Sequence, residues 1–569
     1  MKTRNKLYDK SRLRLLCLLT ALLGLFGAGQ TWAGNPTTLT VGGTNVLSGG
    51  YWTTDAESGT LTPDGASADN YNVYYDGNGT LTLKDATING TDITGHVGAG
   101  IYAEGDLTIV LEGSSTVTGV QDPNGESQSI RVSGNLTIQG GGSLTAQGAE
   151  TSSGSSYGIF VVGSFTQQSG SVTASGGTSQ NYSSTGLHVS DGTVTVQGGT
   201  LTATCGNTSS NNYGSYGIYA RGSVTVNDAT VTATSGTGNY SYGLYVNSSS
   251  PSVTLSGSGS LTARSGTATN RAGGIYFENP FGSAGSVTVG DNSTLLANSV
   301  IRQDRNADQY PLAPTGNGSW LIYGQSNQTS AVGGNYTLTD NLTIESGNTL
   351  TIPAGSTLTI PNGKTLTADA NQLVVNGELV LEGTFEKAKE FEGTGAIVLG
   401  EITLTDDEGI GAYEGYQLKL KSKKVTYVRA LSDNSQYGTI CLPFVPTSVA
   451  GGQVTYYQVE KLGSNEITLV EIDFEAGKPL FYRTSGTGSI TFSAESAAGV
   501  ELVTTPATDN FMVGTMSEVI PTTGYFLKNN NFYPITDGVQ VKVKSFRAYV
   551  KGQNDASQAS VMSVNVARP

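Results

Sequence analysis

The sequence predicts an all-β protein, a right-handed parallel β-helix solenoid followed by a C-terminal β-sandwich domain. Three observations carry that expectation. A "G-[IL]" step recurs at Ile101, Ile130, Ile159, Leu187, Ile218, Leu244 and Ile275, at intervals of 29, 29, 28, 31, 26 and 31 residues. Each interval holds the same three pieces, such as "GIYA", "SVTV" and "TVTATSG", alternating apolar with small polar residues before a Gly, Asn, Asp or Ser turn. From about residue 425 the repeat gives way to strand-like runs of unequal length, "YGTICLPFVP", "VTYYQVEKL", "EITLVEI" and "KPLFYRTSG".

A fixed period of this size marks a solenoid, in which each repeat buries its inner face against its neighbours. Three strands per repeat make a three-sided coil. Ala146, Ala174, Ala203, Ala233 and Ala263 mark where its interior narrows. A stack of antiparallel hairpins would need systematic two-residue turns such as Asn-Gly, and the repeats are not punctuated that way.

In chain order, residues 1–33 read as a signal peptide: a basic start, the apolar run "LLCLLTALLGLFGAG", and small residues Thr31 and Ala33 before Gly34. Export to the cell exterior or outer surface is the expectation, with no membrane-spanning segment after cleavage. Residues 34–90 hold a cap, "LTVGGTNVLSGGYW", and the first coils, and residues 91–300 the repeats of about 29 residues. Residues 301–420 are a second β-helix stretch. There Leu342, Leu350, Leu358 and Leu366 are spaced by eight and Gly347, Gly355 and Gly363 hold the turns. Three eight-residue faces make a tighter coil. Residues 421–569 are the sandwich.

Charge narrows the partners. Residues 34–420 carry 11 basic and 32 acidic residues, and residues 421–569 carry 13 and 12. An acidic surface argues against nucleic acid, whose binding rests on Lys and Arg neutralising phosphates. It also disfavours acidic polymers unless cations bridge them. Only Cys205 and Cys441 follow the signal segment, far apart in sequence. Cys205 takes the place of Ser235 and Ser265 in later repeats, so it reads as an interior thiol.

Chemistry is sparse. Glycosidic hydrolysis commonly needs two carboxyl groups flanking the bond. The repeats offer only scattered acids, and the one tight cluster, Asp406, Asp407 and Glu408, lies beyond the repeat core. No catalytic residue is assigned, and a polysaccharide lyase or hydrolase is the weakest reading. Glu104, Asp106 and Asp191 are the candidate metal ligands, with oxygen chemistry that suits calcium. No cofactor is required.

The residue after each "G-[IL]" is Tyr102, Arg131, Phe160, His188, Tyr219, Tyr245 or Tyr276. Period-two alternation sends it outward, and in a solenoid the same position on successive coils forms one line. Tyr102, Phe160, His188, Tyr219, Tyr245 and Tyr276 are therefore the candidate carbohydrate-binding residues, able either to stack on sugar rings or to support one another.

The units "AGIYAEGDLTIVLEGSSTVTG" and "YGIY…GSVTV…TVTA", with "LSGGYW…ASADNYNVYYDGNGTLTLKDATI" before them, resemble β-helical carbohydrate-binding proteins exported by gut and plant-degrading bacteria. The resemblance covers roughly residues 37–300. It implies binding of plant cell-wall polysaccharide, including polygalacturonate, with calcium involved. The tail "YGTICLPF…EAGKPLFYR…KSFRAYV" is similar to a β-sandwich module recurrent in surface proteins of Bacteroidales. The expected function is thus a non-catalytic, secreted or cell-surface protein that binds a plant or mucosal polysaccharide or glycoconjugate, with the C-terminal domain meeting a surface partner. A structural adhesin is the alternative.

Overall fold

The computed structural model describes residues 34–566, apart from 94–96, 122–124, 279–284, 304–307, 325–329, 370, 388–390, 411–417, 432–435, 464–465, 537–539 and 553–560. The signal-peptide assignment lies outside the described residues. The chain divides into two compact units between residues 328 and 329.

The first unit is a β-solenoid of three parallel sheets, each coil giving one strand to each. The first sheet stacks Val97–Glu104, Ser127–Val132, Ser156–Val161, Ser184–Val189, Gly214–Ala220, Gly238–Asn247, Ala268–Glu278 and Val300–Gln303. The second runs from Thr80–Lys84 through Leu107–Glu112 to Ser286–Val289, and the third from Thr87–Asn89 through Ser114–Thr118 to Ser319–Ile322. Stacked strands lie about 4.8 Å apart.

Register is strict because the same residue class returns to the same inner column. Ile101, Ile130, Ile159, Leu187, Ile218, Leu244 and Ile275 pair in sequence along the first sheet. On the third sheet Ala146, Ala174, Ala203, Ala233 and Ala263 form one column, all fully buried. A one-residue slip would turn each column out to water, so apolar burial fixes the pairing.

The glycine of each "G-[IL]" step is required by space. A Cβ on Gly217 would stand 2.6 Å from the Gly243 carbonyl oxygen and the Thr234 amide nitrogen. Pairing steps over this glycine on each coil, from Thr185↔Tyr216 to Leu187↔Ile218, for example. Two consecutive residues, Gly217 and Ile218, face inward there.

Both ends of the first sheet are closed by antiparallel strands, which cover open edges. Thr38–Val41 pairs with Val97–Glu104, and Gln309–Pro311 with Val300–Gln303. Leu39, Val41, Val46, Trp52 and Val73 fill the first end of the core.

The second unit opens with the tighter coil. Asn335–Thr337 pairs in parallel with Thr357–Ile360, which pairs with Glu378–Leu381, and Leu342–Thr343 pairs with Thr365–Ala368. Gly347, Gly355 and Gly363 hold its turns at φ +85°, +82° and +78°. The sheet then continues through Ala396–Leu404 and Lys419–Ala430 into the antiparallel Ser489–Leu502.

A separate nine-stranded sheet begins at Tyr437–Ile440 and ends at Ala548–Val550 and Met512–Gly514. It curls until its ends meet: the Thr439 hydroxyl donates to the Ala548 carbonyl at 2.7 Å. The curl encloses Tyr457, Ile467, Leu469, Phe481, Phe532 and Val550. The sandwich expectation is met as two apposed layers, joined where Tyr427 packs on Phe546 at 5.3 Å, but the second layer is barrel-like.

Candidate functional site

The planar ladder exists in the expected register, Tyr102↔Arg131↔Phe160↔His188↔Tyr219↔Tyr245↔Tyr276. Its rings lie face to face. Phe160 and His188 are 4.9 Å apart at 10°, His188 and Tyr219 4.3 Å at 3°, and Tyr219 and Tyr245 5.0 Å at 26°. The Arg131 guanidinium lies 4.8 Å over Phe160 and continues the stack. Sugar stacking needs an open ring face, and from Phe160 to Tyr276 the rungs lie against one another. What the half-buried rungs offer outward is ring edge and hydroxyl.

The far end is covered altogether. Tyr245 is 8% exposed and Tyr276 1%, a correction to the reading of the whole line as an open outer face. Tyr242 packs against Tyr276 at 4.4 Å, Ile301 joins the same cluster, and the Tyr276 hydroxyl donates to Gln303. The hairpin that closes the sheet therefore also closes this part of the ladder.

Alternation alone hides a second row. Tyr157, Tyr216 and Tyr242 lie three residues before the rungs, and Tyr216 meets Tyr219 edge-on at 5.5 Å. Strict period two would turn them inward. Because Gly217 and its counterparts place two inward residues in succession, Tyr216 comes out on the same face as Tyr219. The recurring "YG[IL]" was the available signal. Burial pushes the Tyr157 phenol up to about 12.

His188 was expected to face solvent. It is instead held between Phe160 and Tyr219, with its Nδ1 buried and without a hydrogen-bond partner. Burial, then the Arg221 charge, lowers its pKa to about 3. The imidazole should stay neutral at pH 5, read from its carbon-bound proton shifts by NMR. The unfolded chain protonates near pH 6.5, so this site loses stability as pH falls below that value.

The acidic candidates do not converge. Glu104 accepts from the Thr38 hydroxyl and the Tyr102 phenol, each at 2.7 Å, which ties the cap to the first coil. Asp106 accepts from the Asn135 backbone N–H at 2.7 Å, a brace across one coil step. Asp191 pairs with Arg221 at 3.6 Å on an exposed corner three coils further on. Among the described residues no three His, Cys, Asp or Glu side chains come together to hold a metal ion. The Asp406 and Asp407 carboxylates are engaged by Arg547 and by Lys544 (2.6 Å) respectively. Cys441 is fully buried and Cys205 half-buried, and desolvation pushes both thiols up to about 12, which disfavours the reactive thiolate.

Open aromatic surface lies instead on the corner between the third and first sheets. Tyr182 and Tyr213 occupy corresponding loops of successive coils, 38% and 43% exposed, with ring centroids 5.0 Å apart and planes at 32°. These loops stack by parallel bridges Thr151↔Ser179↔Thr208. Each tyrosine backbone N–H donates to a serine hydroxyl at 3.1 Å, Ser179 for Tyr182 and Ser210 for Tyr213. Asn181 and Asn239 bridge coils from the same corner, donating to the Ser152 and Asn211 carbonyls at 2.7 and 2.5 Å. Two exposed rings are thereby fixed beside amide and hydroxyl groups.

No protein-family model matches the chain, and no curated protein matches it. Among solved structures, a double-mutant tailspike protein of E. coli bacteriophage HK620 aligns over 74% of this chain and 85% of its own. The identity is 10% and the TM-score 0.16. A likeness that loose adds nothing to the fold described above.

Proposed function

We propose that the chain is a non-catalytic, exported glycan-binding protein whose solenoid holds saccharide at its corner loops. The observation that carries this reading is the exposed Tyr182–Tyr213 pair, anchored on successive coils beside Asn181, Asn211, Asn212 and Asn239. Rings with an apolar face and a wet hydroxyl suit pyranose rings, which present apolar C–H faces and polar edges. Solvent-exposed aromatics on a rigid scaffold are common recognition elements. The ladder of Tyr102, Phe160, His188, Tyr219, Tyr245 and Tyr276 serves this reading as rigid packing on the adjoining sheet, where Tyr245 and Tyr276 are covered and the earlier rungs are half-buried.

The test is a glycan array on the full mature chain, run with calcium and with chelator, then repeated on Tyr182→Ala with Tyr213→Ala. The double variant should keep its thermal unfolding profile, because both rings are exposed, and lose at least tenfold in affinity for the glycans bound. Unchanged affinity would remove the corner as the site. Binding confined to glycoproteins or intact cells would favour the adhesin reading, and release of shortened product would make the protein an enzyme.

A further inference from the structure

The C-terminal unit holds a cleft that nothing above uses. It has a volume of about 540 Å³ and is walled by Arg429, Arg547, Lys528 and Lys542 together with Tyr437, Tyr482 and Phe526. Among the described residues that line it there is no carboxylate. The cleft is thus cationic within a chain whose preceding 387 residues, 34–420, carry 32 acidic groups against 11 basic ones.

Its floor is rigid. Arg429 is 7% exposed, lies 5.0 Å over the Tyr482 ring, and donates to the Thr439 carbonyl. Tyr482 lies flat against Gly438, where a Cβ would come 2.4 Å from its ring. Arg547 is gripped through one terminal nitrogen by Asp406, while its Nε is buried without a partner. The residue before it, Phe546, is fully buried at φ +60°. A bulky side chain in that region is costly and persists only where its surroundings enforce it. The strained residue lies between Ser545 and the Arg547 that lines the cleft. The mouth carries the exposed Lys528, beside the tight turn Asn529–Asn530, and Lys542, paired at 2.9 Å with Glu518. Among the described residues, Asp406 and Glu518 offset two of the four positive charges, and two remain.

We propose that this cleft binds the anionic end of a glycan: one terminal sugar residue bearing a carboxylate or a sulfate. Two uncompensated cations answer the charge, Tyr437, Tyr482 and Phe526 supply apolar wall, and the volume suits one or two rings rather than a polymer. The cations meet the anion directly, with no bridging metal. The inference extends the glycan-binding reading to a second, chemically distinct site in the other unit.

Calorimetry on the full mature chain with sialyllactose, galactose 6-sulfate and lactose tests it. The two anionic sugars should bind and lactose should not, with affinity falling as salt rises. Lys528→Gln with Lys542→Gln, both at the mouth, should weaken binding about tenfold or more without altering unfolding. The Tyr182→Ala, Tyr213→Ala variant should bind the anionic sugars as the parent does. Equal binding of lactose, or anion binding indifferent to the lysine variant, overturns the proposal. If neither anion binds while the array still finds neutral ligands lost in the tyrosine variant, the cleft proposal falls and the corner site stands. If nothing binds in either experiment, both fall. Retention of sialyllactose or of the sulfated sugar alone assigns the anion.

Discussion

Tyr276→Ala should destabilise the last coils of the solenoid by about 3–5 kcal/mol, the usual range for removing a buried aromatic ring. Tyr276 is 1% exposed, stacks parallel to Tyr245 at 5.8 Å, meets Tyr242 at 4.4 Å, and hydrogen bonds to Gln303. Truncation leaves a cavity and removes one of two bonds to the Gln303 side-chain oxygen, which then keeps only the Arg271 guanidinium at 3.0 Å. A solenoid need not unfold in one step, since each coil meets only its neighbours. Hydrogen exchange is therefore the measurement: protection should fall in Ala268–Glu278 and Val300–Gln303 and persist in the early coils. Glycan affinity should be unaffected. Intact protection with lost affinity would return the ladder to the role of binding surface.

Asp406→Ala should cost the C-terminal unit about 1.5–3 kcal/mol, the range for hydrogen bonds to a charged group, because the half-buried carboxylate accepts from two side chains. The carboxylate accepts from the Tyr427 phenol at 2.6 Å and from Arg547, and Arg429 lies near enough to act on its charge. Its loss strands Arg547 beside a buried tyrosine. Burial raises the Asp406 pKa, but the bonds from Tyr427 and Arg547 and the two arginine charges outweigh it, leaving the value below the ordinary 3.8. A depressed carboxylate stabilises fully above its unfolded value and loses that contribution as pH falls through the folded one. The C-terminal unit should therefore weaken below about pH 4 in the parent protein. Asp406→Asn should flatten that acid limb, as followed by Tyr427-region near-ultraviolet dichroism against pH.

How far these features were legible differs by feature. The cross-coil periodicity gave the inner columns, including Ile101 to Ile275 and the alanines from Ala146 to Ala263, because burial in a solenoid repeats with the sequence. The ladder positions were legible for the same reason. Their exposure was not: Tyr276 is sealed by Tyr242 and by a hairpin whose strands lie outside the repeat pattern. Tyr216 was hidden by the extra inward residue at Gly217, which breaks alternation for a steric reason supplied only by the neighbouring coil. Tyr182 and Tyr213 sit in irregular corner loops, where no periodicity marks which way a side chain faces.

The sequence by itself determined the all-β stacked coil with three strands to each turn, since a repeated pattern of small, apolar and turn residues returns each residue class to the same column. Only the tertiary structure decided which aromatic faces stay open and where positive charge gathers. Arg429 and Arg547 are 118 residues apart in sequence, and the curl that brings both to one cleft depends on long-range pairing such as Thr439 with Ala548. Local patterns encode which face of a strand is buried. They do not encode what a distant segment lays over the other face.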